Sequence, residues 1–213
     1  MFDRRRKEDR YTLIDINIEI GDSEFIYLVG PSGSGKTTLI KILNREELPS
    51  KGDVFIDGEN LLKIKRSQIP YYRRKLGVIF QDFKLLYNKT ALENIVIAMR
   101  AQGKAGKESI EQAKDMLKLF GIAGKMNFLT DELSRGEQRL LTIARALANS
   151  PKFILADEPL VDLNKHDQKK ILDIFERFRK NGSTVIIATK QTEYTKSSHT
   201  RLVKIISGRM KED

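Results

Sequence analysis

The chain has 213 residues and no cysteine. Of these, 40% are hydrophobic and 32% charged, and 39 Lys and Arg stand against 29 Asp and Glu, a formal net charge of +10. This length and mixture suit one folded domain with a real core and exclude disulfide frameworks and Cys-ligated metals. The positive balance favours anionic partners such as nucleotides, nucleic acids or the inner face of a membrane, although a well-solvated basic surface gives the same sum.

The opening "MFDRRRKEDR" lacks the apolar centre of a signal peptide, and no apolar run is long enough to cross a bilayer. A soluble, cytoplasmic chain is therefore expected. Leu13, Ile16, Ile18 and Ile20 fall near period two and predict a strand, after which Gly21-Asp22 turns the chain into a second, "EFIYLVG". A Gly-rich loop follows, then a helix beginning near Lys36. "DVFIDG" is a short strand closed by a turn, and "KLGVIF" is another. From about 82 to 133 the pattern is mostly helical with no strand signal, which suggests an inserted helical lobe. Within it Ile110, Ala113, Leu117 and Phe120 share one helix face that Gly121 ends.

Ser134, followed three residues later by Glu137, reads as a capping box before a further helix. Next come the strand "KFILAD", a helix marked by Ile171, Ile174 and Phe178 that closes at Asn181-Gly182, and the strand "TVIIAT". A hairpin about Ser207-Gly208 in "RLVKIISGRMKE" ends the chain. Apolar strands alternating with helices predict an α/β fold. Its expected parts are a mostly parallel core sheet, an antiparallel β annex from the early turn-rich strands, and the helical lobe, all in a single domain over residues 1–213.

"GPSGSGKTTLI" fits the phosphate-loop pattern G-x-x-x-x-G-K-[ST] between a strand and a helix. Gly30, Gly33 and Gly35 allow successive N–H groups to converge on phosphate oxygens, with Pro31, Ser32 and Ser34 completing the loop. The helix start, including Thr38, adds its positive dipole end. Lys36 neutralises the β- and γ-phosphates, and the Thr37 hydroxyl is a Mg²⁺ ligand. Chance would give such a loop without this strand and helix around it. "FILADEP" is an apolar strand ending in two acids. Asp157 is placed to hold Mg²⁺ through water, and Glu158 to polarise a water attacking the γ-phosphate. A bare pair of acids capping a strand is the plainer alternative, which the upstream phosphate loop makes the weaker one.

"LSRGEQRLLTIARAL" decides which kind of triphosphate machine this is. Ser134 caps the helix, Gly136 leaves room beside it, and the dipole points out of the first turn, making a second phosphate-binding surface. Two copies head to tail would sandwich ATP between one chain's phosphate loop and the other's Ser134, Arg135, Gly136 and Glu137. An ordinary capped amphipathic helix with Leu140, Ala144 and Leu147 inward is the competing reading.

With these motifs in view, the sequence resembles the ATP-binding subunits of ABC transporters along essentially its whole length, from about Leu13 to Met210. The resemblance implies an Mg²⁺-dependent ATPase with Gln81 as the Q-loop glutamine and a further magnesium contact. It also implies "LSRGEQ" as the signature, Asp157 and Glu158 as the Walker B pair, and "LVDLN", with Asp162 and Asn164, as the D-loop. Lys190 falls where the family has its switch histidine. Within the family, "PYYRRKLGVIFQDFKLLYNKTALENI" is most similar to the cell-division group FtsE, with the related lipoprotein-releasing and macrolide-export ATPases as the alternative. That similarity implies an integral-membrane partner of FtsX type, a homodimer on ATP binding, and a place at the cytoplasmic face of the membrane. Asp82, Phe83, Leu85 and Leu86 would line the groove that receives the partner's helix, or would be core instead.

The chain departs from the family where hydrolysis is completed across the pair. Lys190 lacks the directed geometry of an imidazole, Arg135 replaces a signature glycine, and Asn164 replaces an aspartate. These changes predict Mg-ATP binding with slow turnover, the alternatives being a fully active ATPase whose neighbouring residues compensate and a catalytically retired, ATP-gated scaffold. At the N-terminus, Arg6 falls near the position of the family's adenine-stacking aromatic, with Tyr11 as a fallback, and a solvated basic tail as the alternative. The usual first edge strand is also expected to be missing. A nucleic-acid-associated ATPase would need zinc or coiled-coil insertions or tandem halves, so no nucleic-acid partner is expected.

Overall fold

The computed structural model of the chain describes residues 12–104, 106–193 and 200–212. The structure is built on a six-stranded sheet. Its strands are β1 (Phe25–Val29), β4 (Leu76–Ile79), β5 (Phe153–Asp157), β6 (Thr184–Thr189), β7 (Thr200–Ile206) and β8 (Arg209–Glu212). They lie in the order β4-β5-β6-β1-β7-β8, parallel throughout except for the final β7–β8 hairpin. Ser207 and Gly208 both take positive φ, 50° and 77°, the primed turn whose twist suits a two-residue hairpin.

The central strands are apolar on both faces because both are covered. Phe25, Tyr27 and Val29 of β1 belong to one core cluster, whereas Ile26 and Leu28, pointing the opposite way, belong to the other. The first cluster lies under α3 (Ala91–Arg100), α4 (Lys107–Leu119), α5 (Arg135–Leu147) and α6 (Lys165–Lys180). The second includes Leu39 and Ile40 of α1 (Lys36–Leu43) and Tyr72 of the short α2 (Ile69–Arg73). Beside it a two-residue pair, β2 (Phe55–Ile56) with β3 (Glu59–Asn60), runs antiparallel across the Asp57-Gly58 turn. Between β4 and β5 every regular element of the described chain is a helix, apart from an isolated bridge between Thr90 and Leu129.

One expected strand is absent. Residues 14–20 alternate in exposure as period two demands, and Leu13, Ile16, Ile18 and Ile20 pack against the second core, yet no ladder forms there. The segment lies against the terminal hairpin, with the Ile14 N–H donating to the Gly208 carbonyl at 2.8 Å and Arg209 paired to Asp15. Among the described residues one backbone–backbone bond ties it down, so periodicity without a partner strand gives an extended segment rather than sheet.

Three helices, α3, α5 and α6, begin at side-chain caps, and the Ser134 cap is the one expected from the sequence. Glu137 N donates to Ser134 Oγ at 3.3 Å, and Ser134 N donates back to Glu137 Oε2 at 2.8 Å. Thr90 and Glu93 repeat the arrangement at α3. Asn164 caps α6, its Oδ1 accepting from Asp167 N at 2.9 Å. The Ser134 backbone N–H holds the Glu137 carboxyl below its ordinary 4.5, with the Ser134 hydroxyl and Lys125 adding to the effect against partial burial. A carboxyl lowered in the fold contributes stability above pH 4.5 that is lost as pH falls through its folded value. Replacing Ser134 by Ala is expected to cost about 1 kcal/mol in denaturant unfolding at neutral pH. Glu137→Gln should flatten the loss of stability below pH 4.5, and an unchanged pH profile in that variant would remove Glu137 from the account.

Candidate active site

Register brings the candidate residues to one edge. Val29 lies opposite Thr189, Asp157 opposite Ala188, and Ile79 opposite Ala156, so four neighbouring parallel strands end nearly level. In open α/β sheets that carboxyl edge is where ligands bind. Here it presents the loop after β1, Lys190 after β6, Asp157 and Glu158 at the end of β5, and Gln81 after β4. They line a cleft of about 230 Å³ together with Thr12 and residues 32–38.

The loop's shape depends on its glycines. Gly35 has φ 106°, and a side chain there would run into Leu13 and the Thr12 carbonyl. At Gly30 a Cβ would sit 2.1 Å from the Ile205 carbonyl oxygen of β7. Lys36 is buried and folds back on its own loop, its Nζ donating to the carbonyls of Gly30 at 2.7 Å and Pro31 at 3.0 Å. Burial lowers its proton affinity, Glu158 and Asp157 raise it, and Lys190 lowers it further.

Opposite the loop stand two buried acids. Thr37 Oγ1 donates to Asp157 Oδ2 at 2.6 Å, fastening the first turn of α1 to the end of β5. Glu158 takes a left-handed backbone, φ 48°, uncommon for a non-glycine residue. It is held there by its own N–H, which donates to the Ala188 carbonyl at 2.8 Å. Both carboxylate oxygens are also engaged: Thr189 Oγ1 donates to Oε2 and the Lys190 backbone N–H to Oε1, each at 3.1 Å. Thr189 carried no motif signal, although a hydroxyl at a strand end beside an acid is the clue that could have found it. The Lys190 side chain is exposed and faces the same cleft.

The oxygens at the Thr37–Asp157 bond suit a small hard cation, and no group of three or more His, Asp or Glu stands together among the described residues. Mg²⁺ binds through one or two protein oxygens plus substrate phosphates rather than a full protein cage, so this set fits. Thr37, Asp157 and Gln81 are the residues that would hold it.

The start of α5 lies away from this cleft. The Ser134 hydroxyl and the Glu137 carboxylate close on one another at 2.9 Å, within the helix cap. Arg135 is 74% exposed and pairs with Asp162, Nε to Oδ1 at 3.3 Å. A Cβ on Gly136 would approach the Asp162 carbonyl to 3.2 Å, so helix and D-loop touch at that point. Deeper in α5, Arg139, Thr142 and Arg145 donate to the carbonyls of Phe80, Gln81, Phe83 and Lys84. Sequence reasoning missed this seam, because an arginine on an apolar helix face reads as surface.

Of the expected groove, Asp82 and Leu86 are exposed and Phe83 is half-buried against the core. Leu85 is corrected: at 5% exposure it belongs to the main core, because its neighbours alternate outward around it. Tyr87, 60% exposed, stands outward beside Leu86. Arg6 and Tyr11 lie outside the described residues.

Comparison with known proteins agrees with this architecture. The ABC transporter family model matches residues 13–161. The cell division ATP-binding protein FtsE of Mycobacterium tuberculosis is 39% identical over 204 residues, 96% of this chain and 89% of that protein. The lipoprotein-releasing system ATP-binding protein LolD of Aquifex aeolicus is 36% identical, over 88% of this chain and 84% of its own length. Among solved structures, the dimeric post-hydrolysis state of the ATP-binding cassette MJ0796, bound to ADP and Pi, superposes with a TM-score of 0.88 at 31% identity. It covers 95% of this chain and 90% of that one. With the phosphate loop, the acids and the glutamine gathered on one sheet edge and the match running through them, the chain belongs to the ABC transporter family.

Proposed function

We propose that this chain is the Mg²⁺-dependent ATP-binding and hydrolysing subunit of an FtsE-like cell-division complex. It works at the cytoplasmic face of the membrane beside an FtsX-like integral subunit. The observation that carries the reading is the single cleft in which Lys36, Thr37, Asp157, Glu158, Gln81 and Lys190 meet. The phosphate loop and the N-terminus of α1 bind the triphosphate. Mg²⁺, when bound, supplies charge neutralisation at the phosphates. Glu158, fixed by Thr189 and the Lys190 backbone, orients the attacking water and takes its proton.

The second wall comes from another copy. Residues 1–213 act as one ABC ATPase domain whose helical lobe, about 82–133, carries the signature helix toward a head-to-tail partner. Ser134, Arg135 and Gly136 then face that partner's phosphates. The exposed Asp82, Leu86 and Tyr87, with Phe83 beside them, form the surface for the membrane subunit's helix. The similarity to LolD favours a second reading, the ATPase of a lipoprotein-releasing exporter. The membrane protein that co-purifies from detergent extracts with ATP decides between them, and recovery of neither kind overturns both.

Turnover is slow in this reading. Lys190 and Arg135 attract the bound triphosphate as strongly as its transition state, which tightens binding without speeding chemistry. Position 190 holds Glu158 through its backbone N–H, so changing the side chain leaves that bond in place. Lys190→His is therefore expected to raise the steady-state rate of phosphate release at saturating ATP, and an equal or lower rate contradicts the proposal. Glu158→Gln should lower that rate by about 10²–10⁴-fold while ATP binding persists. Lys36→Ala should weaken ATP binding by about 1.5–3 kcal/mol, the worth of a charged hydrogen bond, in equilibrium titration.

A further inference from the structure

Arg139 heads the largest fully buried side chains among the described residues, at 1% exposure. A guanidinium keeps its charge, so burying one is costly unless its surroundings answer it. Here they answer it with parts of the candidate site. Nη1 donates to the Phe80 carbonyl at 2.9 Å and Nη2 to the Gln81 carbonyl at 2.7 Å, the two peptides that present the Gln81 side chain. Asp162 Oδ2 lies 3.7 Å from Nη2, and the Phe83 ring centroid lies 4.7 Å from the guanidinium carbon. Nε has no hydrogen-bond partner among the described residues.

Asp162 is shared. Arg135 Nε lies 3.3 Å from its other oxygen while Arg135 Nη2 donates to the same Oδ2 at 3.5 Å, and Arg135 sits over the same Phe83 ring at 5.3 Å. Two cations, one buried and one exposed, thus divide one carboxylate. Among the described residues no other acid forms an ion pair with either.

We propose that Arg139 is a positioning residue that, with Asp162 as its counter-ion, sets Gln81 from the signature helix and the D-loop. The inference rests on the ATPase reading above. A phosphate that engages Arg135 from the partner copy releases Asp162 toward Arg139, so occupancy at the signature surface reaches Gln81 within the same chain. Arg139 touches no substrate and acts only through the Gln81 backbone. A planar fork can hold two carbonyls and a carboxylate together, which the point charge of a lysine cannot.

The test uses the full-length chain and its Arg139→Lys, Asp162→Asn and double variants. Steady-state phosphate release, binding of a fluorescent ATP analogue and thermal unfolding are read in parallel. Arg139→Lys is expected to lower kcat by about 10- to 100-fold, the scale of a misplaced catalytic group, with analogue affinity within about twofold of the parent. Asp162→Asn should lower kcat less, again without a change in KM. The double variant should match Arg139→Lys alone, because both changes act on one contact. A melting temperature that falls while kcat holds, or losses that multiply in the double variant, would overturn the proposal. If Arg139→Lys does not fold, an unchanged kcat in Asp162→Asn overturns it equally. A parent chain that fails to bind the analogue overturns the proposed function first and this inference with it.

Discussion

The bond from Thr37 to Asp157, 2.6 Å long, is the fixed point of the molecule. It ties the phosphate loop's helix to the strand two places away in the sheet, and the cleft is the space this tie leaves open. It can form because β5, β6 and β1 run parallel and in register, which brings their carboxyl ends level. Lose that register by one residue and every side chain on a strand changes face. The acids would then point into a helix layer instead of toward the loop. Both faces of the sheet are apolar and covered, so the same burial that stabilises the domain holds the site's register.

The second organising element is α5. Its capped end offers Ser134 to the outside, while its buried side holds four consecutive or nearly consecutive carbonyls of the chain after β4. That chain has no helix or strand of its own between Ile79 and Ala91. Its backbone polar groups therefore depend on side chains of another element. The surface beside Leu86 and Tyr87, Gln81 in the cleft, and the start of α5 consequently belong to one bonded unit.

Much of this was legible in the residues. The phosphate loop, the "FILADE" strand, the Ser134–Glu137 cap and the Ser207-Gly208 hairpin each carry a local rule that the folded chain obeys. The errors share a cause. Leu13 to Ile20 show a strand's periodicity, but a ladder needs a neighbour, which periodicity does not specify. Leu85 lies in a run of exposed residues, and only the packing of the helical layer decides that it turns inward. Arg139 and Thr189 were invisible because their partners are 58 and 31 residues away in sequence. Asn164, read as a lost charge, caps α6 through its amide oxygen, so the same residue also has a backbone task.

The lysine stowed against its own loop has a further consequence. Lys36 Nζ donates to the carbonyls of Gly30 and Pro31, which fixes where its charge stands and leaves a third N–H bond of the ammonium for an anion. A cation held in this way gives up little further side-chain freedom on meeting a phosphate. A chain of phosphates can meet the ammonium and the loop's N–H groups together, whereas a small single anion reaches fewer of them. The tether thus favours long polyanions over short ones.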